Sequence, residues 1–253
     1  RNDFISSMYS YHFNKWFSYL LLRPSYIMLA LKQALSLVST NTLGGWQPSD
    51  ETNLSAWYKF QTGIILNGTD VAKWLDSSEN SNDMLQATAS EQPAYNSGAI
   101  DFDASATQSL QTASDDILLA NTFTLGLRLF PALNNVIVLG DNTTSNEFFK
   151  ITSSTKLRFK TDGAQIDINV NDGDLSADNY LVITRNSSNL VTLFINGVAQ
   201  TETKTLAGTA NIDAIGVRAT DANPYDGTIS EIQIFDKEST ELTANVNTYL
   251  SNL

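Results

Sequence analysis

The chain has 253 residues, no cysteine and a formal net charge of −12. The missing thiols exclude disulfides, thiolate metal sites and cysteine nucleophiles, and the acidity argues against nucleic-acid binding through a basic groove and against anionic membrane surfaces. Length alone leaves open one large β domain or two small ones, and a domain of this size can bury enough surface to stand without cross-links.

Taken in order, residues 1–27 differ from the rest of the chain. Arg1, Lys15 and Arg23 against Asp3 give this segment +2, so the remainder carries −14. The apolar run from Trp16 is broken after seven residues by Arg23-Pro24, too short to span a bilayer. Lys15 before "WFSYLLL" resembles a signal peptide, without a convincing small-residue cleavage site. Met28 is the expected natural start, with residues 1–27 as upstream sequence or a truncated neighbour; the competing expectation is an ordinary N-terminal helix. Residues 26–38 can form a helix with Ile27, Leu31, Leu35 and Val38 on one stripe. "NTLGGWQPSDE" then breaks it, which sets the expected division into an N-terminal helical extension, 1–49, and one domain, 50–253.

From Leu54 onward the pattern is that of strands. "LSAWYKF" alternates, and "TFTLGLRLF" places Phe123, Leu125, Leu127 and Leu129 on one face with Thr122, Thr124 and Arg128 on the other. "KLRFK" and "AQIDINV" continue the alternation through Leu157, Phe159, Ile166, Ile168 and Val170. "NYLVITR" and "LVTLFIN" flank "NSSN", a hairpin signal, and Asn-Gly or Asp-Gly turns stand at 67–68, 162–163, 172–173, 196–197 and 226–227. Many short antiparallel strands without intervening helices predict an all-β antiparallel sandwich or jelly roll.

The order of these pieces resembles a LamG-like, concanavalin A-like jelly-roll module over about four-fifths of the chain. Val71, Trp74, Asp76, Asn80, Gln92, Pro93 and Tyr95 occupy the family's "V…W.D.SGN…A….QP.Y" pattern. "AIDFDASATQSLQT", "LVTLFINGVAQ" and "YDGTISEIQIFDKESTELTANVNTYL" resemble its later strands and its closing strand and helix. Glu79 and Ala104 stand where the family has glycine, so the two turns are expected to differ. The style of the chain, including "LKQALSLVSTNTLGGW", is similar to virion structural proteins of tailed, T4-like phages of marine cyanobacteria. That resemblance implies a non-catalytic binding or structural module in a virion, recognising host-surface glycan or packing against other virion proteins, with a homo-oligomer left open. A jelly-roll glycoside hydrolase and a secreted or cell-surface bacterial adhesin are the alternatives.

For an enzyme, related glycosidases carry paired acids on one strand as "E.D..E", and a retaining mechanism needs them roughly 5–5.5 Å apart. "EIQIFD" offers Glu231, Gln233 and Asp236, whose middle residue cannot ionise, so no catalytic residue is expected. His12 is the only histidine, in the N-terminal segment, which leaves neither a Ser-His-Asp triad nor a histidine metal site in the domain. No cofactor is required, and calcium is the one ion the sequence admits. Asp167, Asn169, Asn171 and Asp178 have spacings reminiscent of a calcium loop, but the required glycine is displaced to Gly173. The family resemblance makes rim residues Asp141, Asn142, Asp221 and Asp226 alternative ligands. Carbohydrate binding calls for an aromatic beside amides or carboxylates. Trp57 and Trp74 read as core, with Trp57 on the face opposite Leu54 and Phe60. Tyr225, beside the Asp226-Gly227 turn, is expected to be exposed, with Asp226, Asp221, Asn223, Asp141 and Asn142 around it as the candidate ligand-binding set.

At the end of the chain, apolar residues change phase between Ile229 and Ile232, predicting a bulge or a strand buried on both faces. Ser239 or Thr240 can cap a short helix, with Glu241 in its first turn. Its stripe of Leu242, Val246, Tyr249 and Leu250 is expected to seal an open end of the sandwich.

Overall fold

The computed structural model describes residues 45–112 and 117–253. The helix expected over 26–38, the start at Met28 and His12 lie outside them. The strands in chain order begin with β1 (Leu54–Tyr58), β2 (Ile64–Asn67), β3 (Asp70–Trp74), β4 (Met84–Leu85), β5 (Ala94–Asn96), β6 (Ala99–Phe102) and β7 (Leu110–Gln111). They continue with β8 (Leu118–Leu119), β9 (Phe123–Pro131), β10 (Val136–Gly140), β11 (Phe148–Ser153), β12 (Lys156–Thr161) and β13 (Ala164–Asn169). The last are β14 (Asn179–Arg185), β15 (Leu190–Ile195), β16 (Val198–Ala199), β17 (Lys204–Thr205), β18 (Ala210–Asn211), β19 (Ala214–Ile215) and β20 (Gly227–Phe235), before a closing helix α1 (Thr240–Leu250).

These strands form the expected antiparallel sandwich. One layer has β20 at its centre: β9 pairs along one edge, and β6 and then β1 pair along the other. From β9 this layer continues through β14 and β15 to β16 and β17. The second layer runs β2, β3, β4, β7, β19, β10, β11, β12, β13. Ladders through β5 join the two at one edge. The alternation read from sequence decides which side chains meet between the layers. Leu125, Leu127 and Leu129 of β9 and Ile229, Ile232 and Ile234 of β20 share one core with Phe149, Ile151, Leu157 and Phe159 of the opposite layer. The rings of Phe123 and Phe159 bridge the layers with centroids 5.4 Å apart.

The hairpin signals act as turns where they join adjacent strands. Asp162 and Gly163 between β12 and β13, and Asn196 and Gly197 between β15 and β16, all have positive φ, the backbone that a two-residue primed turn requires. The two glycine-to-side-chain departures cost no strained backbone, because neither Glu79 nor Ala104 has positive φ; the left-handed positions fall at Ser81 and Thr107 instead.

The phase change in β20 is a bulge between Ile229 and Glu231. Beyond it, Ile232 and Ile234 face the sandwich core, while Glu231, Gln233 and Phe235 occupy the outer face. A second bulge, between Leu54 and Ala56 in β1, corrects the expected placement of Trp57: it lies with Leu54 on one side, not opposite it. Both are covered by α1. Ser239 caps this helix, its Oγ accepting from the Leu242 backbone N–H at 3.1 Å. Leu242, Val246 and Leu250 pack on Leu54, Trp57, Val182 and Phe235, with Trp46 and Tyr249 closing the sides. The helix therefore covers the outer face of the β20 layer and does not plug an end of the sandwich. Gly126 of β9 lies beneath it: a Cβ there would stand 2.7 Å from Val246 Cγ1, so the missing side chain lets the helix approach.

Candidate functional site

A polar groove opens where β1 begins and β20 ends. One cleft of about 360 Å³ is lined by Thr52, Asn53, Leu54, Ser55, Asn80, Asn82 and Asp236. A neighbouring cleft of about 230 Å³ shares Thr52, Leu54 and Asn80 and adds Ser49, Glu51, Ser77, Ser78 and Glu79. Three chain segments supply these walls: the approach to β1, the loop after β3, and the exit of β20. The Asp236 backbone N–H donates to the Asn53 carbonyl at 2.9 Å, which ties the first segment to the third. The Lys237–Glu51 ion pair, 2.8 Å, braces the same junction.

The loop after β3 is organised by Asp76. Its Oδ1 accepts from the backbone N–H groups of Trp57 (2.9 Å) and Ser78 (2.8 Å), and its Oδ2 accepts from Ser78 Oγ (2.6 Å) and the Asn82 N–H (3.0 Å). Asn80 donates through Nδ2 to the Leu54 and Ser55 carbonyls, and Asn82 donates to Ser55. The amide groups of the loop are thus pinned along β1, and Tyr58 adds a hydrogen bond from its hydroxyl to the Asn82 carbonyl at 2.6 Å. The outcome is a fixed array of amide, hydroxyl and carboxylate groups with no aromatic ring in its lining, suited to hydrogen-bonding a hydroxyl-rich ligand. Asp76 and Asn80 belong to the motif that carried the family resemblance. Thr52, Asn53, Ser55 and Asn82 were not among the expected site residues. The Asn- and Ser-dense "SSENSND" after Asp76 was the only available signal.

The expected rim set is distributed differently. Tyr225 is fully buried rather than exposed, packed edge-on against Phe102 at 5.8 Å, with its hydroxyl donating to the Thr228 carbonyl at 3.3 Å. Burial first, then Asp226 and Asp101, push its pKa well up. Its place at the start of the closing strand makes it a core residue, so it offers no contact surface. Asp226 accepts from the Ala104 N–H and is half-buried, and Asn223 accepts from Lys150 Nζ at 2.9 Å. Asp141 is also buried; its Oδ1 accepts from Thr143 and Thr144, while the Asn142 N–H donates to Asp213. The structure does bring Asp141, Asn142, Asp221 and Asn223 to neighbouring loops, through the Ala219 N–H to Asp141 carbonyl bond of 2.7 Å and the 3.0 Å bond from Asp221 N–H to Arg218. In the other calcium-loop reading, Asp167 is taken by Arg158, whose guanidinium binds its carboxylate at 2.7 and 2.9 Å, and the Asn171 Nδ2 donates to Thr201. Among the described residues no group of three or more His, Asp or Glu side chains is arranged to hold a metal ion.

Glu231 is fully buried beneath α1, where it accepts from Trp57 Nε1 (2.5 Å), the Phe60 N–H and Gln233 Nε2 (3.0 Å). Burial raises its pKa to about 7 against the opposing pull of these donors. No carboxylate is among its partners, and Asp236 is exposed in the groove. The pair does not form the facing acids that glycoside hydrolysis requires.

The fold is that of a concanavalin A-like module. The chain belongs to the concanavalin A-like lectin/glucanases superfamily, whose laminin G-type family model matches residues 103–243. The groove lies largely outside that match, with Asp236 as its exception. Among solved structures, the binding domain of Paraclostridial Mosquitocidal Protein 1 is similar, with a TM-score of 0.53, 16% identity, and coverage of 81% of this chain and 53% of that one. The chain spans about half the length of that toxin domain. Domain 4 of AbnA, a GH43 extracellular arabinanase from Geobacillus stearothermophilus solved in complex with arabinotriose, has a TM-score of 0.50 and 18% identity, covering 78% of this chain and 97% of that one. The binding domain of botulinum neurotoxin serotype C1 is similar at a TM-score of 0.51 and 13% identity, covering 81% and 53%. At these identities the likeness is one of fold. No curated protein matches the chain.

Proposed function

We propose that this domain is a non-catalytic module that binds glycan in the groove between Asn53, Asn80 and Asp236. The observation that carries the reading is the pinned set of amide, hydroxyl and carboxylate groups at one mouth, held by Asp76 and by the β1 carbonyls. The arabinotriose complex of the AbnA domain supports a sugar as the ligand class. The absence of a carboxylate beside Glu231 and its cover by α1 support a binding role over hydrolysis. The particle context is a further part of the proposal: a virion component of a tailed phage, meeting host-surface glycan or neighbouring virion proteins. It is supported by the sequence style of the chain and its Ser-, Thr- and Asn-rich surface, and proteomics of purified virions tests it.

The test of the groove uses a glycan array followed by calorimetry. Asn53→Ala and Asp236→Ala are expected to weaken the captured glycan by roughly tenfold each, the value of about one well-made hydrogen bond. Their melting temperatures should stay near that of the parent. Unchanged affinity in both variants would place the binding site elsewhere.

A further inference from the structure

The groove is open to solvent along both of its clefts, where Thr52, Asn53, Glu79, Asn80 and Asp236 are all exposed. Its hydrogen-bonding character is one-sided. Asn80 Nδ2 donates to the Leu54 and Ser55 carbonyls at 2.8 and 3.0 Å, and Asn82 Nδ2 donates to the Ser55 carbonyl at 3.1 Å. The Ser78 hydroxyl gives its proton to Asp76 at 2.6 Å. These donors are consumed in holding the loop to β1. An amide whose nitrogen faces the β1 carbonyls turns its oxygen to the opposite side, so Asn80 presents an acceptor there.

Charge carries the same bias. Asp236 brings a carboxylate to the larger cleft and Glu79 one to the smaller, and an ionised carboxylate only accepts. No ion pair of either residue occurs among the described residues. No lysine or arginine lines either cleft, and Lys237 at their border is held by Glu51 at 2.8 Å. The net charge of −12 gathers cations near such a surface and repels anions. An acidic sugar therefore meets no countercharge in the groove. A sugar ring bearing an ammonium brings N–H donors and a positive charge beside its hydroxyls, the complement of this lining. The two clefts share Thr52, Leu54 and Asn80, so adjacent units of one oligosaccharide can lie in both, with one carboxylate to each.

On the reading that the groove is the glycan site, we propose that it selects an amino sugar with a free, protonated amino group over neutral and acidic glycans. Calorimetric titration of the full chain tests the selection. The cationic probe is a glucosamine tetrasaccharide, the neutral probe its N-acetylated counterpart, and the acidic probe an oligogalacturonate. The glucosamine probe is expected to bind roughly tenfold more tightly than its acetylated counterpart, and the acidic probe least of all. The difference should shrink as salt is raised, and again as pH is raised until the amine is neutral. Asp236→Asn keeps the shape of the side chain and removes its charge. It should bring the glucosamine probe to the affinity of the acetylated one, with a melting temperature near that of the parent. Equal binding of the cationic and neutral probes, both weakened by Asn53→Ala, would overturn the amino-sugar selection while the groove stands as the glycan site. Binding that neither Asn53→Ala nor Asp236→Asn changes would remove the groove as the site and the selection with it. If no probe binds, the selection is wrong, and the groove stands or falls on the array. Spermine bound as tightly as the glucosamine probe would also overturn it, since charge alone would then account for the affinity.

Discussion

Glu231 accepts hydrogen bonds from Trp57, Phe60 and Gln233, all of which favour its ionised form, yet burial holds its pKa at about 7. In the unfolded chain the same carboxyl titrates near 4.5. Between those values the folded protein keeps a proton that the unfolded chain has lost. The contribution is therefore fully present below about pH 4.5 and is lost as pH rises through 7, amounting to about 3 kcal/mol at most. Glu231→Gln cannot titrate, so its melting temperature should lack this descent when followed from pH 4.5 to 7.5 beside the parent. An equal descent in both proteins would assign the pH dependence to other groups. Tyr225 makes a related point. A tyrosine beside an Asp-Gly turn reads as a rim residue, but the turn fixes only the backbone, and the ring turns inward against Phe102.

At the scale of elements, α1 is the part whose role its own residues declare. Leu242, Val246 and Leu250 are buried on the face of the β20 layer, so Val246→Asp would place a charge between Trp57, Phe235 and the Gly126 backbone. A loss of ~3 kcal/mol or more is expected, seen as a melting temperature lower by about 10 °C. An unchanged melting temperature would mean that the helix does not hold the layer. The strands were legible for the same reason as the helix: one face of each is apolar at a fixed period, as in Phe123, Leu125, Leu127 and Leu129. Trp57 was misplaced because a bulge after Leu54 shifts the period within five residues, and nothing in "LSAWY" marks it. The groove was less legible still. Its walls come from residues 52–55, 80–82 and 236, which meet only when β1 pairs with β20. Asp76 and Asn80 could be picked out by resemblance and Asp236 only as a possible acid, whereas Asn53 acquires significance only through that pairing.

For the whole molecule, α1 decides which surface of the β20 layer is covered. The helix closes one side of the sandwich and with it the buried Glu231, while the groove at the β1–β20 end stays open. On the proposed reading, Asp236 meets ligand hydroxyls in the groove, while Asp76 holds the loop that lines it. The most direct measurement is a crystal structure of the full chain soaked with a glycan selected on the array. An intact glycan hydrogen-bonded to Asn53, Asn80 and Asp236 is the predicted result. A glycan seated elsewhere with the groove empty, or one cleaved by the protein, would contradict the account.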